Sequence, residues 1–137
     1  MDEIALKLCD IQGRLFELSA VKGYCSADFI KDFMHGATAR SLDSAYNRMQ
    51  WAGEEYLLDE IAEESNLKAV GHVLPRDVLY WIGYIYRYWH YYTGENSAQI
   101  YDLAPPETMQ RNYCMFHTMD PVLAIESLKE ISRQKEM

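Results

Sequence analysis

The chain has 137 residues, 49% of them apolar, which is enough for one domain with a real core and too few for two. A formal charge of −8 argues against a sequence-independent grip on nucleic-acid phosphates, which needs clustered lysine and arginine, and leaves basic partners as the better match. Cys9, Cys25 and Cys114 are odd in number and scattered, and no signal-peptide pattern precedes them, so the expectation is reduced thiols in a cytoplasmic protein without a disulfide scaffold.

Ile4, Leu8, Ile11, Leu15 and Leu18 repeat at spacings of four and three, which predicts a helix over 2–21 with these residues on its buried stripe and a stop at Lys22-Gly23. Ser26 is the expected N-cap of a short second helix carrying Phe29, Ile30 and Phe33, and His35-Gly36 marks its end. A third helix is expected to start near Ser41 and to run through Tyr46, Met49, Gly53, Tyr56, Leu57 and Ile61 as far as Ser65-Asn66. Residues 66–74 read as a loop, and Pro75 is pre-set for the first turn of the next helix. Thr93-Gly94 closes that helix. Ser97 is the expected cap of a short helix with Ile100, Tyr101 and Leu103, and Pro105-Pro106 forces a break before a helix over 107–116. Asp120-Pro121 then combines an acidic N-cap with proline at the first helical position, ahead of a stripe of Val122, Ile125, Leu128 and Ile131. No internal repeat, low-complexity tract or sustained alternation of apolar and polar residues is present. The expected fold is therefore all-α: a compact single-domain bundle of six or seven helices spanning 1–137, around a central aromatic-rich helix at about 78–92.

Eight of the fifteen residues in 78–92 are Tyr or Trp, and Arg87 is the one with a full charge. A helix so apolar on every side must be wrapped by other helices or by a partner. It is too short for the ~30 Å hydrocarbon of a bilayer and carries its charge at mid-segment, so no membrane span is expected. Val78, Ile82, Ile85, Trp89 and Tyr92 form one stripe and Tyr80, Tyr84, Tyr88 and Tyr91 a neighbouring one. Gly83 lies between them, and a glycine costing ~1 kcal/mol against alanine within a helix points to close approach of another helix. The tyrosines read first as part of a central core helix and second as the lining of a partner groove. Arg87 needs compensation for its desolvation; an internal ion pair is the first reading and a phosphate or carboxylate ligand the second.

Glu54, Glu55, Asp59, Glu60, Glu63 and Glu64 place six acids in eleven residues. Helical spacing aligns Glu55, Asp59 and Glu63 on one edge with Glu60 beside them, while Leu57, Leu58 and Ile61 turn inward. Such a run is commonly just a solvated face; its functional reading is an electrostatic docking surface. The histidines match no metal-ligand spacing, no Glu-x-x-His pair suits a di-iron bundle, and no nucleophile elbow or phosphate loop is present, so neither a metal, a cofactor nor a catalytic residue is expected.

Gln12-Gly13-Arg14-Leu15-Phe16-Glu17, the stretch from Gln50-Trp51 to Leu57-Leu58, Tyr80-Trp81-Ile82-Gly83-Tyr84-Ile85-Tyr86-Arg87-Tyr88-Trp89 and Phe116-His117-Thr118-Met119-Asp120-Pro121 together resemble a small bacterial family of antitoxin-like proteins. Its members are found in mobile toxin–antitoxin-type loci beside a predicted ADP-ribosyltransferase-like toxin. The similarity covers nearly the full chain. It implies an antitoxin or accessory subunit, a protein that acts by binding another protein, and it brings no catalytic or binding residues with it. The expected function is thus an intracellular interaction module that neutralises a basic-clefted toxin, with Glu55, Asp59, Glu60 and Glu63 as the steering face and Trp51 and Tyr84 as anchors. A homodimer stays open. The alternative is a small-molecule sensor or enzyme with a pocket between the aromatic helix and the Trp51 helix, where Arg87, Tyr84, His90 and His117 would be the polar groups. A closed polar-lined pocket favours the alternative, and an exposed aromatic and acidic surface the interaction module.

Overall fold

In the computed structural model, which describes residues 1–44 and 52–135, the Asp2 carboxylate accepts the Ala5 amide proton at 2.7 Å and starts α1 (Glu3–Val21). There follow α2 (Ser26–His35), α3 (Ala37–Asp43), α4 (Glu54–Glu64), α5 (Arg76–Thr93), α6 (Ser97–Leu103), α7 (Pro106–Phe116) and α8 (Pro121–Lys135), and no strand occurs among the described residues. The fold is all-α, with the aromatic helix α5 packed against α1, α6, α7 and α8.

The long third helix expected from the sequence is two helices, which takes the described total to eight. Gly36 is extended at φ −91 and ψ 175, so α3 starts at Ala37 rather than near Ser41, and Ser44 leaves the helical region at its end. Gly53 is extended at φ −77 and ψ 168 and begins α4, so a continuous helix through it is ruled out. Tyr46, Met49 and Trp51 lie outside the described residues. Two further caps differ from expectation. Ser26 is a buried first residue of α2 whose Oγ accepts the Leu74 amide at 2.9 Å, fastening the loop 66–74 instead of its own helix. Asn96, not Ser97, caps α6, in a reciprocal capping box with Gln99. Asp120 behaves as expected, accepting the Val122 amide at 2.9 Å ahead of Pro121.

The α1 stripe is rotated from the predicted one. Ile4 is 53% exposed, while Cys9, Gln12, Gly13 and Phe16 join Leu8 and Leu15 on the buried face. That face meets α5 antiparallel: Glu17 lies opposite Arg76, Gly13 opposite Tyr80, and Gln12 opposite Gly83 and Arg87. A β-carbon on Gly83 would stand 2.6 Å from the Gln12 carbonyl oxygen, and one on Gly13 would stand 2.9 Å from that of Tyr80. Each helix therefore supplies a glycine at its contact with the other, the close approach that Gly83 implies. Phe16 extends from this seam into an edge-to-face cluster with Phe29 and Phe33, at centroid distances of 5.3 and 5.4 Å. Trp89, Arg87 and Tyr86 of α5 are the largest fully buried side chains, in keeping with its central place. No helix among the described residues is long and apolar enough to cross a membrane.

Cys9 is completely buried on α1, and burial pushes its thiol up from 9.0 to about 12, with the Arg87 charge opposing the shift. Burial also raises the Tyr86 hydroxyl well above 10.0. Both groups are protonated in the folded chain at pH values where the unfolded chain has begun to release those protons. Their stabilisation is complete below the unfolded value and is lost as pH rises towards the folded one. Unfolding free energy should fall from about pH 9 upward, by up to ~1.4 kcal/mol per pH unit for Cys9. Cys9→Ala should flatten that slope between the thiol and phenol ranges, as read by urea denaturation at stepped pH. An unaltered slope in the variant would remove Cys9 from the account.

Candidate binding groove

Helical spacing carries Asp77, Trp81 and Ile85 along one edge of α5, with Tyr80 and Tyr84 beside them. Asp77 Oδ1 accepts the Val78 amide at 3.0 Å in the first turn of the helix. Tyr80, Tyr84 and Tyr88 follow one another along the helix at ring-centroid distances of 6.0 and 6.2 Å. All three are half-buried, so this row is neither wholly core nor wholly surface. The Tyr80 hydroxyl donates to Asp10 on α1, which holds its ring over the α1–α5 seam.

Helix α7 forms the opposite wall. Tyr113 meets Trp81 edge to face at 5.7 Å and 86° and donates its hydroxyl to Asp77 Oδ2 at 3.3 Å. His117, one turn on, stacks on Tyr113 at 4.3 Å and 5°, and its Nδ1 donates to the Tyr113 carbonyl at 2.7 Å. Met119 and Pro121 close the end through the turn into α8, and Glu17 of α1 closes the side. Together these residues bound an open groove of about 560 Å³, within the size range that takes a drug-like molecule or several side chains. Burial raises the hydroxyl pKa of Tyr80, Tyr84 and Tyr113, and nearby carboxylates add to the effect at Tyr80 and Tyr113. The rings thus present neutral phenols. Asp77 and Glu17 are the groove's carboxylates among the described residues, and no described lysine or arginine lines it.

A smaller depression of about 190 Å³ adjoins the groove through Glu17, which lines both. Arg14, Arg76, Glu54 and Glu55 border it, so the aromatic groove leads over Glu17 to the start of α4. Glu17 is paired with Arg76 at 3.6 Å, and Asp10 with Arg14 at 3.0 Å. On α4, Leu57, Leu58 and Ile61 turn inward as the pattern requires; Glu55, Asp59 and Glu63 are exposed and Glu60 half-buried. Glu64 accepts the Ala37 amide at 2.7 Å and serves the start of α3. The acidic edge is therefore a solvated face, continuous with the groove at its Glu55 end.

The residues expected to form one polar cluster are divided between two places. Arg87 is 1% exposed. Its Nη1 donates to Asp43 Oδ1 at 2.6 Å, its Nε to Gln12 Oε1 at 2.8 Å and its Nη2 to Ser97 Oγ at 3.3 Å. Ser97 returns its amide to Asp43 Oδ2 at 3.0 Å and its hydroxyl to Oδ1 at 2.8 Å. His90 Nδ1 donates to the Glu95 carbonyl at 2.7 Å and lies 3.7 Å from Asp43. This network is internal and ties α1, α3, α5 and α6 together, which is the ion-pair reading of Arg87. His117 belongs to the groove instead, because it follows α7, whereas Arg87 and His90 face α3 and α6.

The groove between α1, α5 and α7 is open and has Tyr84 and His117 in common with the set expected around a pocket beside the Trp51 helix. Trp51 lies outside the described residues and is not placed by the structure. Trp81, Tyr113, Asp77 and Glu17 were not singled out from the sequence. Asp77 and Trp81 share an edge of the aromatic helix at a spacing of four, which is a usable signal; nothing in the sequence connects Tyr113 to them. Among the described residues no three His, Cys, Asp or Glu side chains converge in a way that would hold a metal ion. We found no match to this chain among protein-family models, curated proteins or solved structures.

Proposed function

We propose that the chain is a protein-binding module that takes a basic, partly apolar segment of a partner protein into the α1–α5–α7 groove and along the acidic edge of α4. The carrying observation is the continuity of the two surfaces at Glu17, so that one bound segment can meet aromatic rings and solvated carboxylates together. Aromatic side chains in a concave site supply desolvated anchors. Carboxylates outside it speed encounter with a positive partner and add specificity more than affinity. The resemblance to antitoxin-like proteins makes the partner a toxin encoded next to this chain, neutralised by occlusion of a basic cleft.

Co-expression with the product of the neighbouring gene tests this reading through suppression of toxicity and recovery of a stoichiometric complex. No complex and no protection would remove the neutraliser role. Given a complex, changing Glu55, Asp59, Glu60 and Glu63 to Gln should leave the unfolding free energy within about 0.5 kcal/mol of the parent, because solvated charges contribute little to stability. The association rate should drop about tenfold at low salt, and its dependence on salt should weaken. Tyr84→Ala should act on the dissociation rate, with a loss of ~2 kcal/mol in affinity. Equal association rates and equal salt dependence for parent and neutralised variant would take α4 out of the mechanism.

A further inference from the structure

The groove's polar and aromatic groups define what its anchor must be. Its described lining has two carboxylates, Asp77 and Glu17, and no lysine or arginine within the groove itself; Arg76, which pairs with Glu17, lies outside it. Asp77 is exposed, and its hydrogen bonds come from the Val78 amide and the Tyr113 hydroxyl, both neutral donors. Glu17 is held by Arg76 at 3.6 Å, a pair open enough to exchange for a closer cation. The rings of Tyr80, Trp81, Tyr84 and Tyr113 line the same groove, and a tyrosine or tryptophan face attracts a cation through its quadrupole. Trp81 lines the groove at 8% exposure, and its indole N–H has no hydrogen-bond partner among the described residues. A neutral apolar anchor would cover both carboxylates without compensating them. A guanidinium is planar, can stack on aromatic rings, forks onto carboxylates and is less strongly hydrated than an ammonium.

We propose that the groove is a receptor for an arginine side chain of the bound segment, with the guanidinium at Asp77 and Glu17, the stem along Trp81 and Met119, and a neighbouring peptide carbonyl on the Trp81 indole. This rests on the groove being the docking site, and it names the anchor that the site selects. The chain therefore recognises a partner by a specific basic residue in a pocket, in addition to the diffuse attraction exerted by α4.

The full chain, labelled with 15N, is titrated with Nα-acetyl-arginine methylamide and with the corresponding citrulline and norleucine derivatives. The Trp81 indole signal is identified by its loss in Trp81→Phe. The arginine probe should move that signal saturably, and citrulline, which keeps the shape but lacks the charge, should bind at least tenfold more weakly. Asp77→Asn keeps an acceptor oxygen for the Val78 amide and should weaken the arginine probe at least threefold without altering citrulline binding. Equal binding of arginine and citrulline, or norleucine binding better than arginine, would overturn the guanidinium anchor while leaving the groove as a docking site. No movement of Trp81 with any of the three probes up to their solubility would overturn both the anchor and the groove.

Discussion

Arg87→Met should lower the unfolding free energy by about 3–5 kcal/mol, the range for removing one partner of a buried ion pair. Methionine replaces most of the aliphatic stem, so the loss is chiefly electrostatic. The Asp43 carboxylate, 12% exposed, would keep its two bonds from Ser97 and lose the guanidinium, and Gln12 Oε1 would lose its donor. Domains of ordinary stability have ~5–15 kcal/mol in total, so the denaturant midpoint should move far while the slope stays constant. A second change separates the buried charge from general damage to packing. Arg87→Met combined with Asp43→Asn should be more stable than Arg87→Met alone, because the asparagine retains an oxygen for the Ser97 amide and carries no uncompensated charge. The Ser97 amide should also exchange faster in the single variant, since the network fastens the start of α6. A midpoint unchanged by Arg87→Met would mean that the pair contributes nothing to folding.

That prediction was half legible in the sequence. An arginine among tryptophans and tyrosines announces a buried cation, and charge burial requires a counter-group. Its identity was not legible, because Asp43 is 44 residues away and is one of many acids in a chain of net charge −8. Gln12 is instructive in another way. It lies on the buried face of α1, donates to the Gly83 carbonyl at 3.0 Å and accepts from Arg87. A polar residue beside Gly13 at an inward position is a signal that the apolar stripe of Ile4, Leu8, Ile11, Leu15 and Leu18 concealed, since a stripe drawn from apolar residues alone cannot include the polar group that fixes register.

The fold class was readable because helix periodicity is local and the caps stand next to the turns they close, as at Asp120-Pro121 and Thr93-Gly94. The third expected helix failed for a related reason. Leu57, Leu58 and Ile61 keep helical spacing in α4, but nothing apolar distinguishes a helix that passes through Gly53 from one that begins after it. The groove was the least legible part. It depends on Trp81 and Tyr113 meeting across two helices, and on Glu17 lying beside both the aromatic row and α4, relations set by the packing of α1, α5 and α7 rather than by any one segment. The tyrosine row divides along its length: Tyr88 packs on the core, Tyr80 lines the groove, and Tyr84 does both.

Gly83→Ala should destabilise the chain by about 1–3 kcal/mol, the scale for forcing extra volume into a packed interior, even though the same change in an exposed helix stabilises by ~1 kcal/mol. The added carbon would meet Phe16 Cγ at 2.8 Å and the Gln12 carbonyl oxygen at 2.6 Å. Phe16 is a side chain wedged among Phe29, Phe33 and Tyr86, and Gln12 O is backbone of α1, so neither can retreat without moving its helix. Shortening Phe16 to leucine in the Gly83→Ala background should therefore restore little, since the backbone contact remains. The relief available is separation of α1 from α5, which would stretch the Gln12–Gly83 and Gln12–Arg87 hydrogen bonds and draw Glu17 away from the Tyr80 edge of the groove. Loss of stability and loss of groove binding should thus appear together in Gly83→Ala, whereas Arg87→Met, whose network lies away from the groove, should keep binding under conditions where it stays folded. Calorimetry gives the first quantity and titration with the arginine probe the second. A Gly83→Ala variant as stable as the parent would mean that the α1–α5 seam is looser than its two glycines imply.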